Sequence, residues 1–225
     1  KFIMDTKGYI QEHSKIKLEL YCLYLRLYLT VLLNSRQFQE ITVHDIFAGS
    51  GISVNEEKGS ALLAAIEIQK IQKQFPATHV ALRLNEKESG KFESLKNYLE
   101  PFSFVQCFHS DANDYIREWT NPPRSHNLFF IDPNGYTQLS IENLKRLFAQ
   151  ERCEYLIFVP IYHIYRFLRK EVEAEQLKPI ANFLHDLGIG EADAARVDNV
   201  DKFASLIAEA LRTISDTELV FTQMI

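Results

Sequence analysis

Ile41-Thr42-Val43-His44-Asp45-Ile46-Phe47-Ala48-Gly49-Ser50-Gly51 decides how the chain is read. Its first half is a β-branched run, the composition of a buried strand. Asp45 stands near the end of that run, and a turn of small residues, Ala48-Gly49-Ser50-Gly51, follows. Across residues 60–75 the pattern becomes helical. Strand, glycine turn and helix make the opening unit of a nucleotide-binding α/β fold. Glycines there take backbone conformations that a Cβ forbids and let a ligand come close. An ordinary tight turn shares the Gly-x-Gly spacing, so the pair alone settles nothing. Two ligand classes drop out. No Gly-Lys-Ser/Thr is present, so no lysine is placed to reach β- and γ-phosphates. The third glycine of a dinucleotide fingerprint would fall at Val54, which disfavours NAD.

Before this unit, residues 14–35 form a long helical pattern that is apolar on more than one face, so most of it is expected to be buried. His13, Lys15 and Lys17 at its start read as a solvated helix end or as the entrance to a ligand site. After the unit the chain alternates. Strands are expected at 79–85, 102–109, 127–131 and 155–159, with helices at 89–99 and 140–150 and a short one through Trp119 that follows residues 110–114. Residues 171–212 read as a helical insertion within a single domain spanning 1–225, and residues 219–225 as a last strand. This alternation predicts a mainly parallel, Rossmann-like sheet with right-handed crossovers and helices on both faces.

In such sheets ligands bind beyond the carboxyl ends of the strands. Four strands here lead into Asp45, Glu86, Asp111 and Asp132. Each alone reads equally well as a helix cap. Together they place like charges along one edge, which repel unless a ligand or cations offset them.

The pattern Asp45-x-Phe47-x-Gly49-x-Gly51 resembles motif I of S-adenosylmethionine (SAM)-dependent methyltransferases, especially those acting on nucleic-acid bases. The resemblance implies a SAM methyltransferase fold, and SAM has the chemistry to match the acids: a cationic sulfonium, an amino group and ribose hydroxyls. Asp45 and the Gly49–Gly51 backbone are expected to face the methionine portion, with Phe47 and Ala48 of the same turn among the cofactor-binding residues. Glu86 is expected to take the ribose hydroxyls and Asp111 the adenine amine. Asp132-Pro133-Asn134-Gly135-Tyr136 resembles motif IV of amino-methyltransferases, Asp-Pro-Pro-Tyr. That makes Asp132, Pro133, Asn134 and Tyr136 the expected acceptor-side, catalytic residues. Asn134 in place of the second proline, and Gly135 before the tyrosine, give this loop a different backbone. A plain turn is the alternative.

Taken together, the Lys15-x-Lys17 helix, the stretch from His44 to Gly51 and Phe130-Ile131-Asp132-Pro133-Asn134-Gly135-Tyr136 resemble the three-Cys-motif partner proteins. These are bacterial proteins with a methyltransferase-like fold, named for a cysteine-motif protein encoded beside them. The family typically has an aromatic residue where this chain has Asn134. The resemblance implies a SAM-type fold and work beside a three-Cys-motif protein, and leaves the reaction open. Members continue past the point where this sequence stops, so the last strand pair is expected to be incomplete.

Composition bounds the partners. The chain has 225 residues, 46% of them hydrophobic, and a net charge of −5, so its whole surface is not a polyanion-binding surface. Any DNA or RNA contact needs a local patch, and the best is Tyr162, Arg166, Arg169 and Lys170, where aromatics and cations interleave. The same pattern suits an ordinary amphipathic helix. Three scattered cysteines, Cys22, Cys107 and Cys153, suggest neither a disulfide framework nor a zinc site, and a reducing cytoplasm is expected. The histidines have no metal-ligand spacing, and no apolar run reaches the roughly 20 residues that span a bilayer. Two functions remain: a SAM-dependent methyltransferase acting on a nucleic-acid base, or a non-catalytic methyltransferase-fold partner subunit.

Overall fold

The β-branched run folds as β1, Glu40–Asp45, the central strand of a five-stranded parallel sheet in the computed structural model of the chain. The structure describes residues 12–35, 37–38, 40–76, 79–133, 135, 138–169 and 174–215. The elements in order are α1 (Glu12–Ser35), β1, α2 (Ser60–Gln72), β2 (His79–Asn85), α3 (Ser89–Leu99), β3 (Val105–Phe108), α4 (Ala112–Glu118), β4 (Ser125–Ile131), α5 (Ile141–Phe148), β5 (Cys153–Ile157), α6 (Ile161–Leu168), α7 (Ala174–Asp186), α8 (Glu191–Arg196) and α9 (Val200–Ser215). Strand order is β3-β2-β1-β4-β5, and every pairing is parallel. The chain winds outward from β1 through β3, then crosses back to β4. That is the doubly wound, Rossmann-like arrangement, with its order reversing between β1 and β4.

The chain divides into two units. The first holds residues 1–131 and 152–157, hence the whole sheet with α1 to α4; the second holds 132–151 and 158–224. In the first, the alternation of side chains along a strand explains both covered faces. His44 and its register partner Phe129 point one way, Asp45 and Phe130 the other. His44 stacks on Phe129 at 4.1 Å, with Trp119 edge-on at 5.5 Å, so α4 and the residue after it close that face. Tyr21 of α1 stacks on Phe130 at 4.0 Å and closes the other. Ile41, Val43, Leu82, Leu84 and Leu128 are fully buried between them.

Helix α1 departs from the expectation that most of it is buried. Tyr21, Leu25, Tyr28, Leu29 and Leu33 are buried, but Ile16, Leu23, Leu27 and Val31 lie in solvent. A helix resting on a sheet covers one face only. Apolar residues all round it therefore leave a second apolar face outside. Its first turns tie to the loop before α2, where Lys15 Nζ meets Glu57 Oε1 at 2.9 Å. That loop closes on itself through an antiparallel bridge between Ile52 and Lys58.

In the second unit α9 packs against α5 and α6, with Phe203 and Ile207 buried, and Tyr165 meets Phe203 at 5.7 Å between ring centres. Helix α7 packs on α6 and α8. The final strand expected at 219–225 lies outside the described residues. Among the described residues no helix is long and apolar enough to cross a membrane.

Candidate functional site

The loops that leave β1, β2 and β3 meet at the carboxyl edge of the sheet. The β1 loop turns sharply because Gly49 and Gly51 both take left-handed conformations, with φ of +66° and +79°. A side chain would strain either. Their surroundings differ. A Cβ at Gly51 would lie 3.5 Å from Leu95 Cδ1, whereas one at Gly49 would meet nothing within 4 Å. Gly51 is thus packed and Gly49 opens outward. Gly59 completes the cradle: its N–H donates to the Gly51 carbonyl at 2.9 Å, and a Cβ there would come within 3.3 Å of that oxygen. Helix α2 therefore starts directly on the glycine turn, with the positive end of its dipole beside it.

Asp45 lies beneath the turn rather than in it. It is fully buried. Its Oδ1 accepts the Phe47 N–H at 3.2 Å and its Oδ2 accepts the Ser60 hydroxyl at 2.6 Å. Ala48 is nearly buried, and its N–H donates to the Asn85 carbonyl at 3.0 Å. The carboxylate thus fixes the start of α2 against the end of β1. Ser60→Ala is expected to lower stability by about 1.5 kcal/mol, because it withdraws a donor from a buried carboxylate oxygen. Urea unfolding with an unchanged denaturant slope checks this.

Glu86, directly after β2, reaches across to the glycine turn. Its Oε2 accepts the Gly49 N–H at 3.0 Å and its Oε1 accepts the Glu88 N–H at 2.7 Å. Each carboxylate oxygen has two lone-pair positions, so two further donors can be received. Asp111 caps α4, its Oδ1 accepting from Asn113 N at 2.9 Å, and pairs with Lys87 Nζ at 2.8 Å. The Lys87 ammonium holds the Asp111 carboxyl below its ordinary range. That lysine is largely exposed, so the pair exchanges partners at little cost.

These contacts correct one premise. Like charges along the edge need no cationic ligand to hold them, since backbone N–H groups, a hydroxyl and Lys87 already offset Asp45, Glu86 and Asp111. What the fold does bring together is Glu86 and the glycine turn, with Asp111 on the adjoining loop. Asp132 and Pro133 follow β4 directly in the chain and belong to the second unit. Asn134, Tyr136 and Lys170 lie outside the described residues.

Sequence reasoning missed Asn85. It is buried, its Nδ2 donates to the Ile46 carbonyl at 3.3 Å and the Ser110 carbonyl at 3.1 Å, and its Oδ1 accepts from Ser110 Oγ at 2.8 Å. One side chain thus joins the loops after all three strands. A polar amide directly after the apolar Leu82 and Leu84 was the available signal. A hollow of about 290 Å³ lies elsewhere on this unit, lined by Gln69, Gln72, Lys73 and residues 101–104. It gathers none of the strand-end acids.

In the second unit α6 carries the aromatic and basic residues. Ile164 is buried, while Tyr162, His163, Arg166 and Arg169 are exposed, and the Arg169 guanidinium sits 5.2 Å from the Tyr165 ring.

No family model matches the chain, and no curated protein matches it. Solved structures similar to it include a putative methyltransferase, yhhF, from Escherichia coli. The TM-score is 0.38 at 19% identity, over 60% of this chain and 73% of that one. Another is a precorrin-6y C5,15-methyltransferase from Geobacter metallireducens GS-15, with TM-score 0.33, 15% identity and coverage of 70% and 68%. A third is PKMT2 from Rickettsia typhi in complex with AdoHcy, with TM-score 0.39 and 12% identity; the match covers 86% of this chain but 37% of that one. At these scores the fold rests on the strand order and not on the alignments.

Proposed function

We propose that this chain is a SAM-dependent methyltransferase acting on a nucleic-acid base, with the cofactor at the carboxyl edge of β1 and β2. One observation carries the reading: the Glu86 carboxylate is hydrogen-bonded to the N–H of Gly49, the glycine whose outer side is open. A strand-end acid with spare lone pairs beside an open glycine turn fits an adenosyl ligand. Gly49 gives the close approach, Glu86 receives the ribose hydroxyls, and Asp111 exchanges Lys87 for the adenine amine. Phe47, Ala48 and Gly51 shape the turn. Asp45 acts as a positioning residue, because its burial keeps it from direct contact. When bound, SAM supplies a methyl group already activated by its sulfonium. The protein then has to orient an acceptor and accept its proton. We assign that role to Asp132, Pro133, Asn134 and Tyr136 from their resemblance to motif IV. Tyr162, Arg166 and Arg169 on α6, with Lys170, supply stacking and phosphate contacts in an otherwise acidic protein. Three cysteines, scattered and odd in number, favour a reducing cytoplasm.

The departure at Asn134-Gly135 favours a second reading: a methyltransferase-fold subunit, of the three-Cys-motif partner family, that works without transferring methyl groups. Titration calorimetry with SAM, followed by transfer of labelled methyl to DNA and RNA, separates the two. Binding with transfer is the expected result. Binding without transfer selects the subunit, and absence of binding removes the SAM reading.

A further inference from the structure

Among the described residues, the outer face of α1 is an apolar seam open to solvent. Ile16, Leu23, Leu27 and Val31 are 50%, 52%, 57% and 66% exposed, and Leu20 between them is half-buried. Isolated surface leucines are ordinary, but a contiguous run of them marks a contact surface. Ile16, Leu20, Leu23 and Leu27 follow one another at spacings of four, three and four, the repeat of a helix that packs against another helix. From Ile16 to Val31 the seam is about 22 Å long at the rise of an α-helix.

The charges beside the seam say what covers it. Glu19 and Arg26 sit one heptad apart on the same flank. Arg26 is anchored through its Nε and Nη2 to Glu67 Oε2, at 3.2 and 3.1 Å, and still exposes more than half of its side chain. Its five N–H donors allow a second carboxylate. Lay a second α1 antiparallel on the first, with Leu20 against Leu23 of the second copy. Ile16 then meets Leu27, so all four layers are apolar, and on the flank Glu19 meets Arg26 in both directions. Slide the copy by one heptad either way and the flank sets Glu19 against Glu19 or Arg26 against Arg26. The neighbouring registers are therefore repulsive, and the attractive one is two-fold symmetric. A membrane-lying helix would instead carry a predominantly basic polar flank.

We infer that the seam is a homodimer interface, in which α1 packs antiparallel on α1 of a second copy of this chain. Few side chains take part, so the dimer is reversible at micromolar concentration. Sedimentation velocity of the full chain between about 1 and about 100 μM reads this directly, with dimer growing across the range. Leu23→Glu, on an exposed side chain, is expected to leave monomer throughout. Glu19→Lys is expected to weaken dimerisation about tenfold, since it faces Arg26 of the other copy. In a Cys22→Ser background, Leu20→Cys mixed with Leu23→Cys is expected to form the mixed disulfide in preference to either like pair. Circular dichroism confirms that each variant is folded. Wild-type monomer at every concentration overturns the inference. So does a dimer indifferent to Leu23→Glu, a preference for like-pair disulfides, or a monomer that uses this face on anionic vesicles or on another protein.

Discussion

Glu86→Gln is expected to weaken SAM binding about a hundredfold, while lowering the stability of the free protein by only about 1 to 2 kcal/mol. The substitution keeps the size of the side chain and removes one acceptor. In the native site both carboxylate oxygens receive backbone N–H groups, from Gly49 and Glu88. A glutamine satisfies one of them and turns its own NH2 towards the other, so donor faces donor. The glycine turn loses an anchor, which costs a fraction of stability. On the proposed reading the larger loss falls on the ligand, because the charged lone pairs that would receive the ribose hydroxyls become a neutral amide with a single acceptor. Hydrogen bonds to a carboxylate are worth about 1.5 to 3 kcal/mol each, against about 1 for neutral pairs. Calorimetry measures the affinity and urea unfolding measures the stability. Native affinity with reduced stability would make Glu86 a structural clamp and remove it from the cofactor site. Loss of both to the same extent would point to a collapsed turn.

Much of this edge was readable from the sequence, and the reason is periodicity. The β-branched run, the two glycines and the helix at 60–75 each carry a local signal, and β1, the left-handed turn and α2 follow from them. Strand ends were readable too, because acids follow apolar runs. What each acid does was not, since that depends on donors brought from other loops. Asp45 looked like a ligand contact, but it is fully buried, with the Phe47 N–H on one oxygen and the Ser60 hydroxyl from the next helix on the other. Asp111 also caps a helix, because the chain enters α4 at once, and its other oxygen holds Lys87. Residues 102–104 have strand-like composition, yet β3 begins only at Val105. Turns at the end of α3 hold these residues instead: the Phe102 N–H donates to the Leu99 carbonyl at 3.0 Å and the Val105 N–H to the Phe102 carbonyl at 3.1 Å. The aromatic and basic stretch after β5 folded as the amphipathic helix its apolar spacing allows, with Ile164 inward. The solvent-facing half of α1 escaped for the opposite reason. Composition says which residues are apolar, but only the fold says how many faces are available to cover them.

His44 shows the same division between motif and role, and makes the protein sensitive to acid. It stands in the motif beside Asp45, yet it is fully buried on the α4 face of the sheet. Its Nδ1 lies 2.8 Å from the Tyr115 hydroxyl and its Nε2 3.2 Å from Asn127 Oδ1. The Asn127 amide is oriented by donating to Asn121 Oδ1 and Ser125 Oγ, so its oxygen faces the ring and the hydrogen sits on Nε2. Nδ1 then accepts from Tyr115, and the ring is neutral. Burial pushes its pKa down to about 3, the hydrogen bond to Asn127 opposes this, and the Arg83 charge adds to it. The unfolded chain takes up a proton near pH 6.5, whereas the folded one waits until about pH 3. Between those limits the unfolded state binds more protons, so stability falls as pH falls. From about pH 7.5 to about pH 5 the expected loss from this one ring is about 2 kcal/mol. His126, whose pKa burial also lowers, adds to the loss with the same sign. His44→Gln isolates the first contribution. Its amide can donate to Asn127 and accept from Tyr115, and it does not titrate. The variant is expected to be less stable at neutral pH by about 1 to 2 kcal/mol, through poorer stacking on Phe129. Its stability is also expected to change less between the two pH values, by about the amount assigned to His44. Urea unfolding of both proteins at both pH values gives the difference of differences, and equal pH slopes would show that the ring is already protonated or relieved by a neighbour.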